Sequence, residues 1–173
     1  MPLSSDVLAA HRHRVYGFAL RLTGCRDDAA DVTQEVLVRL WRNGDTVEPE
    51  RRTAWALRVT RNACFDVLRR RQTRATLTPT SAMPADEAPS ATHAPDTHTE
   101  ASDFRQHLAR ALDTLDEPYR SIVILREIDD LPYQEIADAL DLPLNTLKVY
   151  LHRARQRLRD ALRLALPAEE LIP

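Results

Sequence analysis

Side chains able to read nucleic acid are concentrated in residues 144–159, where basic and apolar residues alternate at helical spacing. With Leu147 at zero and about 100° per residue, Leu151, Ala154 and Leu158 lie within about 40° of it. The opposite face, between about 100° and 240°, collects mostly hydrogen-bonding groups: Asn145, Lys148, Val149, His152, Arg153 and Gln156. One face is apolar and the other donor-rich, as a helix in the DNA major groove requires.

The residues before this helix favour the same interpretation. The apolar-faced segment Pro132–Leu140 predicts a short helix, Asp141–Pro143 predicts a tight turn, and Asn145 is well placed to cap the longer helix. Two helices joined in this way form a helix-turn-helix. The alternative is an ordinary amphipathic helix with a solvated face. Three further arginines flank the donor-rich face and suit backbone phosphates: Arg155, Arg157 and Arg159.

A second basic segment, residues 51–74, carries eight arginines and one acid. Trp55 and Phe65 are interleaved with them, a pattern that suits single-stranded nucleic acid, where bases stack on rings. Trp55 is more simply interpreted as a core anchor. The polar loop over residues 43–52 can hold an extruded base. The polar groups on the following helix are Arg58, Arg61, Asn62, Asp66, Arg69, Arg70 and Arg71.

An acidic and polar patch precedes this segment. Asp31, Gln34 and Glu35 fall at i, i+3 and i+4, so they share one face of a predicted helix. The patch either keeps the surface soluble or docks a basic protein partner.

The composition excludes several other functions. The 173 residues carry a net charge of −2, which alone argues against a nucleic-acid binder. The sum hides an acidic stretch: residues 75–103 hold five acids and no Lys or Arg, whereas residues 145–163 hold six cations and one acid. Three glycines exclude Gly-rich phosphate loops, and there is no HExxH or paired-carboxylate pattern among the six histidines and the acids. A helical enzyme is therefore disfavoured, and we expect no cofactor and no metal.

The location of the chain follows from its cysteines and its apolar runs. Cys25 and Cys64 have no CxxC pattern and are expected to be reduced thiols. The longest strongly apolar run, Ile122–Leu125, is too short to cross a bilayer, and the first residues do not resemble a secretory signal. We expect a cytoplasmic protein without membrane insertion.

The elements that position these residues are predicted to be helices, and the fold class is all-α. Gly24 is expected to end the first helix, and Val32, Val36, Leu40, Leu37 and Trp41 to form the apolar stripe of the second. Thr53 is a candidate cap for the third, with Trp55, Val59, Ala63 and Val67 inward. Phe104, Leu108, Ala111 and Leu115 have helical spacing in the second piece. We expect helical domains over 5–71 and 104–166, joined by a flexible Ala/Thr/Pro-rich linker over 72–103.

Three strings, taken together, resemble the extracytoplasmic-function (ECF) group of the sigma-70 family of bacterial transcription initiation factors. DAADVTQEVLVRLWRN resembles the core-binding helix of region 2, and TAWALRVTRNACFDVLRRR resembles the helix that opens and reads the promoter −10 element. LDTLDEPYRSIVILREIDDLPYQEIADALDLPLNTLKVYLHRARQRL resembles region 4, which reads the −35 element.

The resemblance implies a role for each candidate residue and a set of partners. Asp31, Gln34 and Glu35 would contact the β′ clamp helices of core RNA polymerase, while region 4 would meet the β flap. The −10 strand would meet Arg58, Arg61, Asn62, Asp66 and Arg69. The −35 duplex would meet Asn145, Thr146, Lys148, Val149, His152 and Arg153. An anti-sigma factor is a further partner common in this group, although no residue here identifies one.

The sequence also departs from the family pattern. Asp141 replaces the usual glycine of the turn, which would cost about 1–2 kcal/mol in a left-handed conformation. Val149 and Tyr150 replace the usual serine and arginine, so the −35 preference is expected to be atypical. The competing interpretation is a stand-alone helix-turn-helix regulator, which explains the C-terminal domain and leaves the N-terminal helices without a role.

Overall fold

The computed structural model describes residues 4–77 and 100–165, and the chain divides into two compact units, residues 1–93 and 94–173. The described residues of the first unit form three α-helices: α1 (Ser5–Thr23), α2 (Arg26–Asn43) and α3 (Arg52–Leu77). Those of the second form four: α4 (Glu100–Asp113), α5 (Tyr119–Val123), α6 (Tyr133–Leu140) and α7 (Leu144–Ala165). The described residues contain no β-strand, and the all-α prediction is confirmed.

The core of the first unit lies where its three helices meet. Gly24 ends α1 in a left-handed conformation (φ 64°), and its N–H donates to the carbonyl of Leu20 at 2.9 Å, as the sequence predicted. Side chains buried to 2% exposure or less come from all three helices: Val15, Phe18, Leu22, Val32, Val36, Leu40, Leu57 and Cys64. Threonine hydroxyls inside this core are satisfied along their own helices; Thr60, for example, donates to the Ala56 carbonyl at 2.7 Å.

Of the predicted inward stripe of α3, only Ala63 is buried. Residues four apart drift by about 40° around a helix, so the series from Trp55 to Val67 leaves the core face. Trp55, Val59 and Val67 are only half-buried. The buried residues of α3 with described side chains are Ala54, Ala56, Leu57, Thr60, Ala63 and Cys64. Thr53 is not the cap either, because a 3₁₀ turn over Pro49–Arg51 leads directly into α3 at Arg52.

Two aromatic residues expected to face inward are exposed instead. Trp41 is 44% exposed, because it lies about 180° around α2 from the buried Val32. Phe104, near the start of α4, is 50% exposed.

Two helices extend past the domain boundaries that the sequence predicted. α3 continues to Leu77, past the expected boundary at residue 71, and α4 begins at Glu100, before residue 104. The expected linker therefore overlaps both helices at its ends. Its remainder, residues 78–99, lies outside the described residues.

The second unit is built around a continuous apolar segment. Ile122–Leu125 is buried at 1% exposure or less, and a π-helical turn over Ile124–Ile128 carries the chain from α5 toward α6. Ile136 of α6 and Leu147 of α7 are 0% exposed and complete this core together with Leu131. Pro118 and Pro132 stand directly before α5 and α6, and the helix start at Pro132 is the one that the sequence predicted.

The two cysteines are free thiols in different surroundings. Cys64 is 0% exposed, and burial, with a smaller contribution from the Asp28 carboxylate, raises the pKa of its thiol to about 12. Cys25 is half-buried. Because the thiolate is the reactive species, Cys25 is expected to react with iodoacetamide at least about 100 times faster than Cys64 at pH 8. Mass spectrometry of the alkylated native chain measures both rates. Equal native rates would contradict the expectation, and in denaturing urea the two rates should converge.

No helix among residues 4–77 and 100–165 is long and apolar enough to cross a membrane.

Candidate nucleic-acid and protein-binding surfaces

The turn between α6 and α7 positions the predicted reading helix. Asp141 is left-handed (φ 56°, ψ 46°), and its N–H donates to the Ala137 carbonyl. The N–H of Leu142 donates to the same carbonyl at 2.9 Å. Both bonds satisfy the end of α6, so the helix-turn-helix geometry is retained with aspartate in the position where the family pattern has glycine.

Asp141→Gly is expected to raise the free energy of unfolding of the second unit by about 1 kcal/mol, since glycine adopts this conformation without a Cβ penalty. Chemical denaturation followed by circular dichroism measures the change. Asp138→Gly makes the same chemical change inside α6 and is expected to lower stability by about 1 kcal/mol. If both variants moved stability in the same direction, strain at Asp141 would not be the cause.

The start of α7 corrects one expectation. The Pro143 carbonyl accepts the N–H of Leu147 at 2.9 Å, so the helix begins at Leu144. Asn145 is therefore the second residue of the helix and not its cap. Its side chain is exposed, which leaves it on the outward surface.

The two faces of α7 separate as the angles predict. Leu147, Leu151 and Ala154 are 0–3% exposed and pack inward. We call the opposite, exposed set the reading face: Asn145, Lys148, Val149, His152 and Arg153. Thr146 is half-buried at its edge. Within the described part of the chain, no hydrogen bond or ion pair engages the side chains of Lys148, His152 or Arg153, so these groups can bind phosphates and base edges.

Two of the three flanking arginines contact other side chains of the second unit. Arg155 pairs with Glu127, its Nε donating to Oε1 at 2.9 Å, and this bond raises the pKa of the guanidinium. Arg157 stacks 4.3 Å from the ring centre of Tyr119 and lies 3.8 Å from the Asp116 carboxylate. Both side chains therefore have partners within the protein, which the sequence did not indicate; that they bind backbone phosphates stays a prediction.

The Tyr150 side chain does not lie on the reading face. Its ring packs against Tyr119 with centroids 5.4 Å apart and planes inclined by 53°. The departure from the family pattern at this position thus has a structural explanation, because the ring fastens α7 to α5.

The loop before α3 is held by a residue that sequence reasoning did not single out. Nε of Arg52 donates to the carbonyls of Gly44 at 2.9 Å and Val47 at 3.2 Å. Short 3₁₀ turns over Gly44–Thr46 and Pro49–Arg51 complete the loop. The loop therefore has a defined shape, although most of its residues are polar. The position of Arg52, at the end of a mostly polar loop, was the signal that the sequence offered.

The exposed face of α3 gathers the predicted strand-binding residues. Trp55, Arg58, Asp66 and Arg69 lie within about 40° of Asn62 around the helix. Asp66 accepts a hydrogen bond from Arg69 at 2.6 Å. Arg61 lies farther round, with its guanidinium 4.7 Å from the ring centre of Phe65. Half-buried Trp55 is neither the core anchor expected nor a fully exposed ring.

Arg71 belongs to the fold and not to this face. It donates to the Thr23 carbonyl at 3.3 Å and forms an ion pair with Asp28. It therefore ties α3 to the corner between α1 and α2.

The acidic patch on α2 lies on a surface that is partly apolar. Asp31, Gln34 and Glu35 are all exposed, and Glu35 pairs with Arg39. Val38 and Trp41 are exposed on the same side of the helix, at 42% and 44%. Carboxylates beside exposed apolar side chains suit a protein partner that offers both basic and apolar groups. Among the described residues, no three His, Cys, Asp or Glu side chains are grouped so as to hold a metal ion.

Comparison with known proteins matches both units. Residues 7–74 match the model of the Sigma-70 region 2 family, and residues 105–158 match that of Sigma-70 region 4. The chain is 35% identical over 164 residues to the ECF RNA polymerase sigma factor SigE of Mycolicibacterium smegmatis, covering 94% of this chain and 62% of that protein. It is 33% identical to ECF RNA polymerase sigma factor SigL of Mycobacterium tuberculosis, covering 86% of this chain and 82% of that one.

A solved structure supports the same likeness. The sigma factor RpoE, in complex with the anti-sigma factor NepR from Bartonella quintana, matches with a TM-score of 0.68 at 25% identity. The match covers 91% of this chain and 92% of RpoE.

Proposed function

The chain belongs to the ECF group of the sigma-70 family, and on that premise we propose that it directs bacterial core RNA polymerase to promoters with −10 and −35 elements. It does so by binding and placement, without covalent chemistry, cofactor or metal, and in the cytoplasm. The observation that carries the proposal is the order of three surfaces along the chain. These are the acidic patch on α2, the loop held by Arg52 together with the exposed face of α3, and the reading face of α7.

Each surface has one task in this proposal. Asp31, Gln34 and Glu35 on α2 dock on the β′ clamp helices of polymerase, with Val38 and Trp41 supplying apolar contact. The loop held by Arg52 and the face of α3 around Asn62 capture unstacked −10 bases. Unstacking costs a few kcal/mol per base, which stacking, phosphate pairing and polymerase contacts offset.

The reading face of α7 binds the −35 duplex, and the second unit meets the β flap. Because one relative in this family is held by an anti-sigma factor, we propose such a factor as a regulatory partner of this chain.

A stand-alone helix-turn-helix regulator is the competing function. It would use the reading face of α7 but would give no role to the exposed patch on α2 or to the braced loop. It would also bind its operator without polymerase.

In vitro transcription separates the two functions. The purified chain is mixed with its cognate core polymerase and a library of promoter fragments, and the transcripts are sequenced. Transcripts that start at a fixed distance from shared −10 and −35 sequences are expected. Specific binding to duplex DNA without promoter-specific initiation would favour the regulator instead.

A further inference from the structure

Val149 is an apolar side chain at the centre of an otherwise polar and cationic face. It is 49% exposed and lies about 200° around α7 from the buried Leu147. Asn145 and Arg153, one turn before and one turn after it, are both exposed. A ligand that covers Val149 must therefore offer an apolar group there, with hydrogen-bond acceptors around it.

The neighbours of Val149 define how α7 approaches its target. Lys148 and Arg153 lie about 100° and 240° from Leu147, so Val149 falls between two cations. Tyr150, the next residue, is turned onto Tyr119 and does not cover it. Cations on both sides suit the two phosphate backbones that border a groove, which directs Val149 at the base edges between them.

The groups on the base edges indicate which base Val149 contacts. In the major groove adenine, guanine and cytosine present only hydrogen-bonding groups at their recognition positions, whereas thymine also presents a 5-methyl group. A branched apolar side chain gains by covering that methyl and gains nothing from a donor or acceptor that it would leave unpaired.

We propose that Val149 selects a thymine in the −35 element through contact with its 5-methyl group. This inference rests on the function proposed above and specifies it, since it identifies one base and the atom by which it is read. The serine of the family pattern would read a hydrogen-bonding edge, so Val149 shifts the preference of this chain toward a methyl.

The test removes the methyl and nothing else. Promoters are first selected with the holoenzyme, and each −35 thymine is then replaced singly by deoxyuridine, which keeps the same base pairing. At one position, the replacement is expected to weaken promoter binding by the wild-type holoenzyme about three- to fivefold, the loss typical of one buried methyl. Val149→Ser should abolish that difference. Leu164→Ser, a matched change at an exposed residue of the same helix, should leave it intact.

Each outcome decides the inference. A loss at one thymine that Val149→Ser removes supports it. Equal losses in the wild-type and Val149→Ser holoenzymes, or no loss at any −35 thymine, would overturn it, as would a selected −35 element without thymine. Failure to select any −35 element would instead overturn the proposed function, which keeps the two results distinct.

Discussion

Replacing both Lys148 and Arg153 by alanine is expected to weaken holoenzyme binding to a −35-dependent promoter about 100-fold, since each lost hydrogen bond to a charged phosphate is worth roughly 1.5 kcal/mol. Both side chains are exposed, and no hydrogen bond or ion pair engages them within the described part of the chain, so their replacement is expected to leave the fold intact. The dependence of log affinity on log salt should also become shallower, by roughly one to two units, if both contacts reach phosphates. Fluorescence anisotropy across a salt series measures both effects.

A charge-matched variant controls for net charge. Arg105→Ala/Arg110→Ala removes two exposed cations from α4 of the same unit. It is expected to change promoter affinity less than about threefold, because screened charges away from the groove contribute little. Similar losses in the two double variants would show that binding depends on overall charge and not on the reading face.

Reversing the charge of Asp31 gives the second large effect. Asp31→Lys is expected to weaken binding to core polymerase about 10- to 100-fold, because a lysine on this patch meets the like charge of a basic partner. The Asp31 side chain is exposed, so the melting temperature of the chain should not change. Titration of labelled chain with core polymerase measures the affinity.

Asp6→Lys makes the same change at an exposed position of α1. It should bind core polymerase as the wild type does. If Asp31→Lys bound core polymerase with unchanged affinity, the docking surface would lie elsewhere than on the patch of α2.

Much of the fold was predictable because helix ends and helix faces here depend on residues close together in the sequence. Gly24 ends α1, Pro132 precedes α6, and the inward face of α7 follows from the angles between its leucines. The errors arose where periodicity was applied too rigidly. Residues spaced four apart rotate by about 40° at each step, so the predicted series does not stay on one face of α3, and Trp55 lies outside the core. A predicted cap at Asn145 failed because Pro143 already sets the start of the helix.

The exposed residues of the candidate site were predictable from the sequence, but the ion pairs that join its arginines to the rest of the protein were not. The reading face of α7 could be drawn from the sequence because exposure follows from helix geometry. Whether an arginine binds DNA or the protein depends on partners far along the chain. Arg71 pairs with Asp28 and Arg155 with Glu127, and neither spacing is local. Composition counts these cations with the others, so it overstates the charge that is available for nucleic acid.

The brace at Arg52 has a consequence for engineering. Its two acceptors are main-chain carbonyls, which every residue carries, so these two bonds do not depend on the side chains of the residues that accept them. Side-chain contacts add to them, because the Thr46 hydroxyl donates to the Asn43 carbonyl and Glu48 pairs with Arg51. Asp45, Thr46 and Glu48 are exposed there. Exchange of the exposed side chains in this loop is therefore expected to leave both Arg52 bonds in place.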